Sequence, residues 1–272
     1  MRRYTLLLLL CTPLTLAHAL DTDVPFVTTP LSVTEAMLKI ANVQKGDFVI
    51  DLGSGDGRIV ILAAKQFAAR GLGVEIDPTL VAKSVVNAKE AGVAHLAEFR
   101  DEDLFKTDLS RATVVTMYLL PDVNILLRSK LLALKPGTRV VSHDWDMGDW
   151  KPDAELRLPA PEKTLGLDRT SRVMLWKIPA KVEGLWCSLA HPGRTLTLRQ
   201  RYQEVTGELN DGTHKFAGKQ DGVRLNAGVA ANAELVDSVL IFAKAAALAG
   251  SWTRATGPCL TSSPRRTNPR GY

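Results

Sequence analysis

Apolar and polar positions along this chain keep two rhythms, and the change falls at Ile178-Pro179. Before it, short apolar runs alternate with stretches of helical spacing. Phe48-Val49-Ile50 reads as a strand buried on both faces, and in Arg58 to Phe67 the residues Ile59, Leu62, Ala63 and Phe67 share one helical face. Gly73 to Ile76 is the second strand. Pro78 opens a helix where its missing N–H costs nothing, and Gly92 stops that helix after Glu90. Ala97 to Arg100, Thr113 to Met117 and Thr138 to Ser142 continue as strands, with a helix over Asn124 to Leu134 before the last. Ser171 to Ile178 reads as a hairpin strand at the sheet's edge. Upstream, Ser32-x-x-Glu35 forms a capping box, and Val33, Met37, Ile40 and Ala41 line an amphipathic lead-in helix. Elements in this order predict an α/β fold, a doubly wound and mostly parallel sheet.

After Pro179 the period becomes two. Thr195 to Tyr202 alternates strictly, and Asn210-Asp211-Gly212 and Asp221-Gly222 are hairpin turns. A small antiparallel β domain over 181–257 is the reading. Within it, Ala227 to Gly250 mixes alanines that argue helix with Val236 and Val239-Leu240-Ile241-Phe242 that argue strand, and strand is favoured. The chain then divides into a leader (1–19), an extended lead-in (20–31), the α/β domain (32–180), the β domain (181–257) and a tail (258–272) whose Pro, Ser and Arg composition predicts disorder.

The segment richest in chemistry joins the first strand to its helix: Asp51-Leu52-Gly53-Ser54-Gly55-Asp56-Gly57. Strand, glycine loop and helix let bare backbone approach a nucleotide-like ligand. Glu75 lies 18 residues past Gly57 at the end of the second strand, placed to accept hydrogen bonds from ribose hydroxyls. The glycines are spaced G-x-G-x-G, not the G-x-G-x-x-G of pyrophosphate binders, and no lysine stands where a phosphate loop needs one. Asp51 and Asp56 would repel a pyrophosphate but suit a ligand carrying an ammonium and a sulfonium, as S-adenosylmethionine does. The spacing disfavours a nicotinamide-dependent oxidoreductase; a glycine turn that only packs a helix on a sheet is the plain alternative.

Through D-x-G-x-G-x-G and Gly73-Val74-Glu75-Ile76-Asp77 the chain resembles the class I S-adenosylmethionine-dependent methyltransferases. Lys45-Gly46-Asp47, the run Asp51 to Ile61, Asp103-Leu104 and Leu134 to Val141 narrow the resemblance. It points to bacterial relatives of the mitochondrial lysine methyltransferases that modify the ATP synthase c-subunit and the adenine nucleotide translocase, and covers residues 25–153. The resemblance implies a seven-stranded Rossmann-like methyltransferase sheet, methyl transfer to a protein lysine, and Asp103 as acceptor of the adenine amino group. Asp101, Glu102 and Asp103 also read as a solvated acidic loop. The lead-in would cover the cofactor, with Phe26 touching it or simply packing.

Charge and termini change the picture in two places. Five of the 34 basic residues, Arg2, Arg3, Arg265, Arg266 and Arg270, sit at the ends, so the body between is balanced at 29 against 29. A nucleic-acid substrate is therefore not expected. Met1-Arg2-Arg3, the apolar run Leu6 to Leu16 and Ala17-His18-Ala19 spell a signal peptide cleaved after Ala19. The alternative is an uncleaved membrane anchor over Tyr4 to Leu20, in which case membrane contact is confined to that segment. Export is the expectation, and it sets a puzzle, because S-adenosylmethionine is made in the cytosol. Cys187 and Cys259 flank the β domain's first and last strands, neighbours in a closed meander; a disulfide and two buried thiols are equally open. No Cys/His spacing suggests a metal.

Methyl transfer asks a protein to align a nucleophile and exclude water, and for lysine to deliver a neutral amine. The residues placed to do this follow strands four and five. Tyr118 would hydrogen-bond or stack against the amine's path, and Asp144 would orient it. Trp145 would form a wall, unless it and Trp150 are a packing lid. The rival from another class is an exported binding module on a methyltransferase-like fold, its β domain recognising an envelope protein or glycan. Intact Asp51, Gly53, Gly55, Gly57 and Glu75 speak against it.

Overall fold

The computed structural model describes residues 27–259, apart from 165–167, 229–230 and 244–246. The expectations for the leader, for Phe26 and for the tail past Cys259 lie outside the described residues.

The α/β domain runs α1 (Leu31–Ile40), β1 (Phe48–Leu52), α2 (Arg58–Phe67), β2 (Arg70–Glu75), α3 (Pro78–Glu90), β3 (Ala97–Asp101), β4 (Val114–Met117), α4 (Pro121–Leu131), β5 (Arg139–His143), β6 (Ala154–Pro159) and β7 (Thr170–Lys177). Its seven strands are ordered β3-β2-β1-β4-β5-β7-β6, as the resemblance implied. The first five are parallel, and β7 runs antiparallel to both β5 and β6. The continuous apolar run of β1 follows from burial on both faces: Ile50 packs with α4 residues Leu127 and Leu131, while Val49 packs with Met37, Leu38 and Ile59 of α1 and α2.

Three sequence expectations are corrected. The Ser32-x-x-Glu35 capping box does not form, because α1 starts at Leu31 and Ser32 already lies in its first turn. Thr34 Oγ1 instead donates to the Pro30 carbonyl at 3.1 Å, and Glu35 pairs with Lys39. Helix α4 starts three residues early, at Pro121, whose fixed φ suits a first helical position. The strand over 171–178 is not the edge: β7 lies inside the sheet, and the edge is β6, overlooked because its residues are almost all exposed and show no buried stripe.

The second domain is a closed barrel of β8 (Gly184–Ser188), β9 (Thr195–Arg201), β10 (Glu204–Leu209), β11 (Lys215–Asp221), β12 (Arg224–Asn226), β13 (Asn232–Val236), β14 (Val239–Ala243) and β15 (Gly250–Arg254). Each strand pairs antiparallel with the next, and β15 closes on β8. The strand reading of 227–250 is met by β13 and β14, but Tyr202 sits in a turn at φ 54° instead of ending β9. Trp186, Leu196, Leu198, Phe242 and Trp252 fill the interior. Cys187 and Cys259 are bridged, with Cα atoms 5.6 Å apart. The barrel docks beside the start of β5. Trp150, fully buried, donates Nε1 to Gln203 Oε1 at 2.9 Å and stacks on Tyr202, and the Ala180 N–H donates to the Gly222 carbonyl. Trp150 is thus core packing, while Trp145 is 43% exposed.

Candidate functional site

Sheet order changes direction between β1 and β4, and in such sheets ligands bind beyond the carboxyl ends of the strands at that point. There the cavity opens. It measures about 690 Å³ and is lined by the loop after β1, the ends of β2 and β4, Glu102 to Phe105, and Val27 to Thr29.

The loop's glycines are required twice over. Gly53, Gly55 and Gly57 have φ of 73°, 54° and 80°, which side chains other than glycine's rarely adopt. A Cβ on Gly57 would also lie 2.7 Å from the Phe99 ring and 2.9 Å from Ser84 Cβ. Helix α3 braces the loop from outside: Ser84 Oγ donates to the Gly55 carbonyl and Asn87 Nδ2 to that of Asp56, both at 2.9 Å. Glu75 holds it from within, its carboxylate accepting from the N–H groups of Gly55 at 2.9 Å, Ile76 at 2.9 Å and Asp77 at 3.2 Å.

Asp51 is the anomaly of the site. It is 2% exposed, accepts one hydrogen bond, from Thr116 Oγ1 at 2.7 Å, and takes part in none of the described ion pairs. Burial pushes its carboxyl up to about 8, against the Thr116 hydrogen bond, and the charges of Glu75 and Asp56 push the same way. Ser54 Oγ is likewise buried and has no partner among the described residues. A carboxylate that lacks a cation and a hydroxyl that lacks a partner, both lining one cavity, describe a site built for a ligand with a positive end.

Asp56 differs from its sequence reading. Its charge is taken by Arg58, whose Nε and Nη2 donate to it at 2.8 and 2.6 Å, and that pair holds the Asp56 carboxyl below its ordinary range despite burial. Arg58 also donates Nη1 to the Thr29 carbonyl at 2.8 Å, tying the lead-in to the cavity wall. Its clue in the sequence was its position directly after the third glycine. Asp103 lines the cavity beside Glu102; its carboxylate accepts from the Phe105 N–H at 2.9 Å and meets Lys106 at 3.2 Å, and these hold its carboxyl down.

At the far side Tyr118 faces the cavity with Leu119, Val123 and Leu126. Burial, with the charge of nearby Asp144 acting the same way, pushes its hydroxyl up to about 12, so it stays protonated. Its ring lies 3.9 Å from the ring of His143. His143 is fully buried; Nδ1 is 3.4 Å from Thr29 Oγ1 and Nε2 is 2.9 Å from Ser171 Oγ. Burial drives it down to about 4, so the ring is neutral at pH 7. Tyr118 lines the cavity with Asp144 near it, but neither Asp144 nor Trp145 is among the residues lining the cavity. His143, Thr29 and Lys163 belong to this cluster too. Nothing in local spacing marks Lys163, which comes from the turn after the edge strand.

Comparison with known proteins agrees with this geometry. Residues 51–154 match the family described as the ANTKMT methyltransferase domain. A protein-lysine N-methyltransferase of Saccharolobus islandicus is 45% identical over 137 residues, covering 50% of this chain and 85% of that protein. The adenine nucleotide translocase lysine N-methyltransferase of Mus musculus is 38% identical over 153 residues, 56% of this chain and 66% of that protein. For the ATP synthase c-subunit lysine N-methyltransferase of Homo sapiens the figures are 37% over 131 residues, 47% and 55%. The chain thus spans most of the archaeal relative but two thirds or less of the two mammalian ones. Among solved structures, an RNA methyltransferase from Salinibacter ruber in complex with S-adenosyl-L-homocysteine is 54% identical, with a TM-score of 0.53, and covers 57% of this chain and 96% of its own.

Proposed function

The chain belongs to the S-adenosylmethionine-dependent protein-lysine methyltransferase family, and on that premise we propose that it methylates the ε-amine of a lysine in a protein substrate. S-adenosylmethionine supplies a methyl carbon activated by a sulfonium for in-line displacement. The site residues fit that group. Asp51 would pair with its ammonium and so regain the counter-charge it lacks; Glu75 would receive the ribose hydroxyls and Asp103 the adenine amino group; Gly53, Gly55 and Gly57 keep the loop bare. Tyr118, its hydroxyl protonated, would turn a lone pair on its oxygen toward an amine N–H, orienting the nucleophile. The lead-in tied down by Arg58 would exclude water.

One observation carries the choice of acceptor: the Saccharolobus relative, 45% identical and covered over 85% of its length, is described as a protein-lysine N-methyltransferase. Around the cavity's mouth Ile76, Phe105 and Leu126 are 71%, 43% and 53% exposed. An apolar rim suits contact with a segment of protein chain, and with no basic patch beside it among the described residues offers little to a phosphate backbone. RNA is the second reading, since the Salinibacter protein is described as acting on it. The deciding experiment supplies labelled S-adenosylmethionine with total protein or total RNA as acceptor. Label in protein, lost when its lysines are acetylated beforehand, supports the proposal; label in RNA alone sinks it.

Export is part of the same proposal. The Cys187–Cys259 bridge supports it, because disulfides persist in oxidising compartments and are rare in the cytosol. Membrane anchoring by an uncleaved leader is the alternative. Fractionation with N-terminal sequencing of the mature chain separates them: a chain beginning at Leu20 outside the cytosol is expected, and a cytosolic chain with free thiols would refute export.

A further inference from the structure

The sheet ends in β6, and that edge carries an ordered pattern. The Asp144 N–H donates to the Arg172 carbonyl at 2.8 Å, and the Ala160 N–H to the Arg169 carbonyl at 2.7 Å. Bonding along antiparallel strands alternates from residue to residue. Arg172 and Met174 therefore spend their backbone groups on β5, while Ser171 and Val173 spend theirs on Leu158 and Leu156 of β6. The N–H and C=O of Glu155 and Arg157 point away from the sheet, with no strand among the described residues to receive them. Their side chains share one face. Arg157 stands directly opposite Arg172 of β7, like charge against like, and Glu155 is the carboxylate in both of their described ion pairs, each at 3.0 Å. Two guanidiniums thus share one carboxylate, and the Arg157 side chain is 66% exposed. On the opposite face Leu156 is 43% exposed.

We propose that β6 pairs antiparallel with β6 of a second copy of this chain, about a two-fold axis at Leu156, joining the two seven-stranded sheets into one. An exposed edge is ordinarily guarded by charge, which repels an approaching strand. Here the charges are placed for self-recognition. With Leu156 facing Leu156, Glu155 falls opposite the second copy's Arg157, and Arg157 opposite its Glu155. These are the residues whose backbone groups face outward, so each such pair exchanges both of its N–H to C=O bonds. Arg157 gains a carboxylate of its own, and the two Leu156 side chains cover each other across the axis, where cross-strand side chains lie closest. Moving the axis to residue 155 or 157 would set like charges against each other, so the sequence selects one register. Pro159, which has no N–H, ends the pairing. The two-fold reverses strand direction, and the two cavities open at opposite ends of the joined sheet.

Sedimentation velocity on the full chain tests this with the wild type, Arg157→Glu, Glu155→Arg and an equal mixture of the two variants. An interface of this length is a weak one, so the wild type should pass from monomer to dimer between about 1 and 100 µM. Arg157→Glu puts two carboxylates in each cross-strand pair, and Glu155→Arg puts two guanidiniums there. Each variant alone should bind itself on the order of tenfold to 100-fold more weakly. Mixed, they should associate at least as tightly as the wild type, because every pair then joins opposite charges; that recovery also shows that both variants fold. A second measurement needs no substitution. Amide exchange in the wild type should slow at Glu155 and Arg157 as concentration rises, and stay constant at Leu156, whose N–H is already bonded to β7. A wild type that stays monomeric at about 100 µM overturns the proposal. So does a dimer that either variant leaves intact, a mixture that stays monomeric, or exchange that changes equally, or not at all, at the three residues.

Discussion

The barrel and the carboxyl end of the parallel sheet handle buried and charged groups in opposite ways. In the barrel, Phe242 meets Phe216 and Trp252 edge-on at 6.2 and 6.4 Å, and ion pairs such as Lys215–Glu208 and Arg224–Glu234 lie in solvent. At the sheet's end, Asp51 is buried without an ion-pair partner among the described residues, and Asp144 and Lys163 are sequestered as a pair. Packing of the first kind lowers the free energy of the fold; arrangements of the second kind raise it and persist where a ligand or a reaction needs them. The barrel reads as a structural unit, stapled by its disulfide, and the chemistry belongs to the other half.

The largest effect that would test this division is in the barrel. Trp252→Ala removes a fully buried aromatic and should destabilise the barrel by about 3–5 kcal/mol, lowering the chain's first unfolding transition. Affinity for S-adenosylmethionine should stay within about twofold, a difference below about 0.5 kcal/mol. A parallel collapse of cofactor binding would break the comparison and make the barrel part of the site.

The converse change is Asp51→Asn. It should weaken cofactor binding by on the order of 100-fold, about 2–3 kcal/mol, through loss of the charge opposite the ammonium. It should leave barrel unfolding where it was. The effect on pH dependence is separate. A carboxyl near 8 in the folded protein, against an ordinary value of 3.8, binds more protons folded than unfolded across that window. Its contribution to stability is therefore full below about pH 4 and is lost as pH climbs through about 8. Thermal melts of the ligand-free wild type should show that decline, and Asp51→Asn should flatten it. Cofactor affinity in the wild type should rise over the same interval, as the proton leaves Asp51, and level off above about pH 8. An equal slope in both proteins would remove Asp51 from its assigned role.

Local rules made the sheet domain readable and left gaps where tertiary contact decides. Parallel strands buried on both faces write continuous apolar runs, so β1, β4 and β5 stood out, and the glycine loop announced the cofactor end. The edge strand β6 was invisible because exposure erases the pattern that would reveal it. In the barrel, alternation along β9 and the turns at Gly212 and Gly222 were plain, while the alanines between 227 and 250 blurred β13 and β14. At the site, Asp51 and Glu75 were marked by spacing. The charge of Asp56 was assigned to the ligand because nothing in one dimension shows Arg58 folding back onto it. Lys163 reaches Asp144 across 19 residues and one strand, a meeting that the return of the chain after β6 arranges.

The smallest predicted effect lies where the two halves meet. Gly222 turns β11 into β12 at φ 60°, and a Cβ there would come within 3.1 Å of Gly137 Cα, just ahead of β5. The Gly222 carbonyl accepts from the Ala180 N–H at 2.8 Å, and beside it Lys177 Nζ meets Asp221 at 2.7 Å, so the turn is pressed against the sheet's other end, away from the cavity. Gly222→Ala combines left-handed strain with a push between backbones and should cost about 1–2 kcal/mol. If the halves are energetically separate, that loss appears as looser docking, seen as faster hydrogen exchange at Ala180, with kcat unchanged. If kcat falls with it, the barrel is steering the site through β5 and its neighbours, and the clean division between structural barrel and chemical sheet has to be given up.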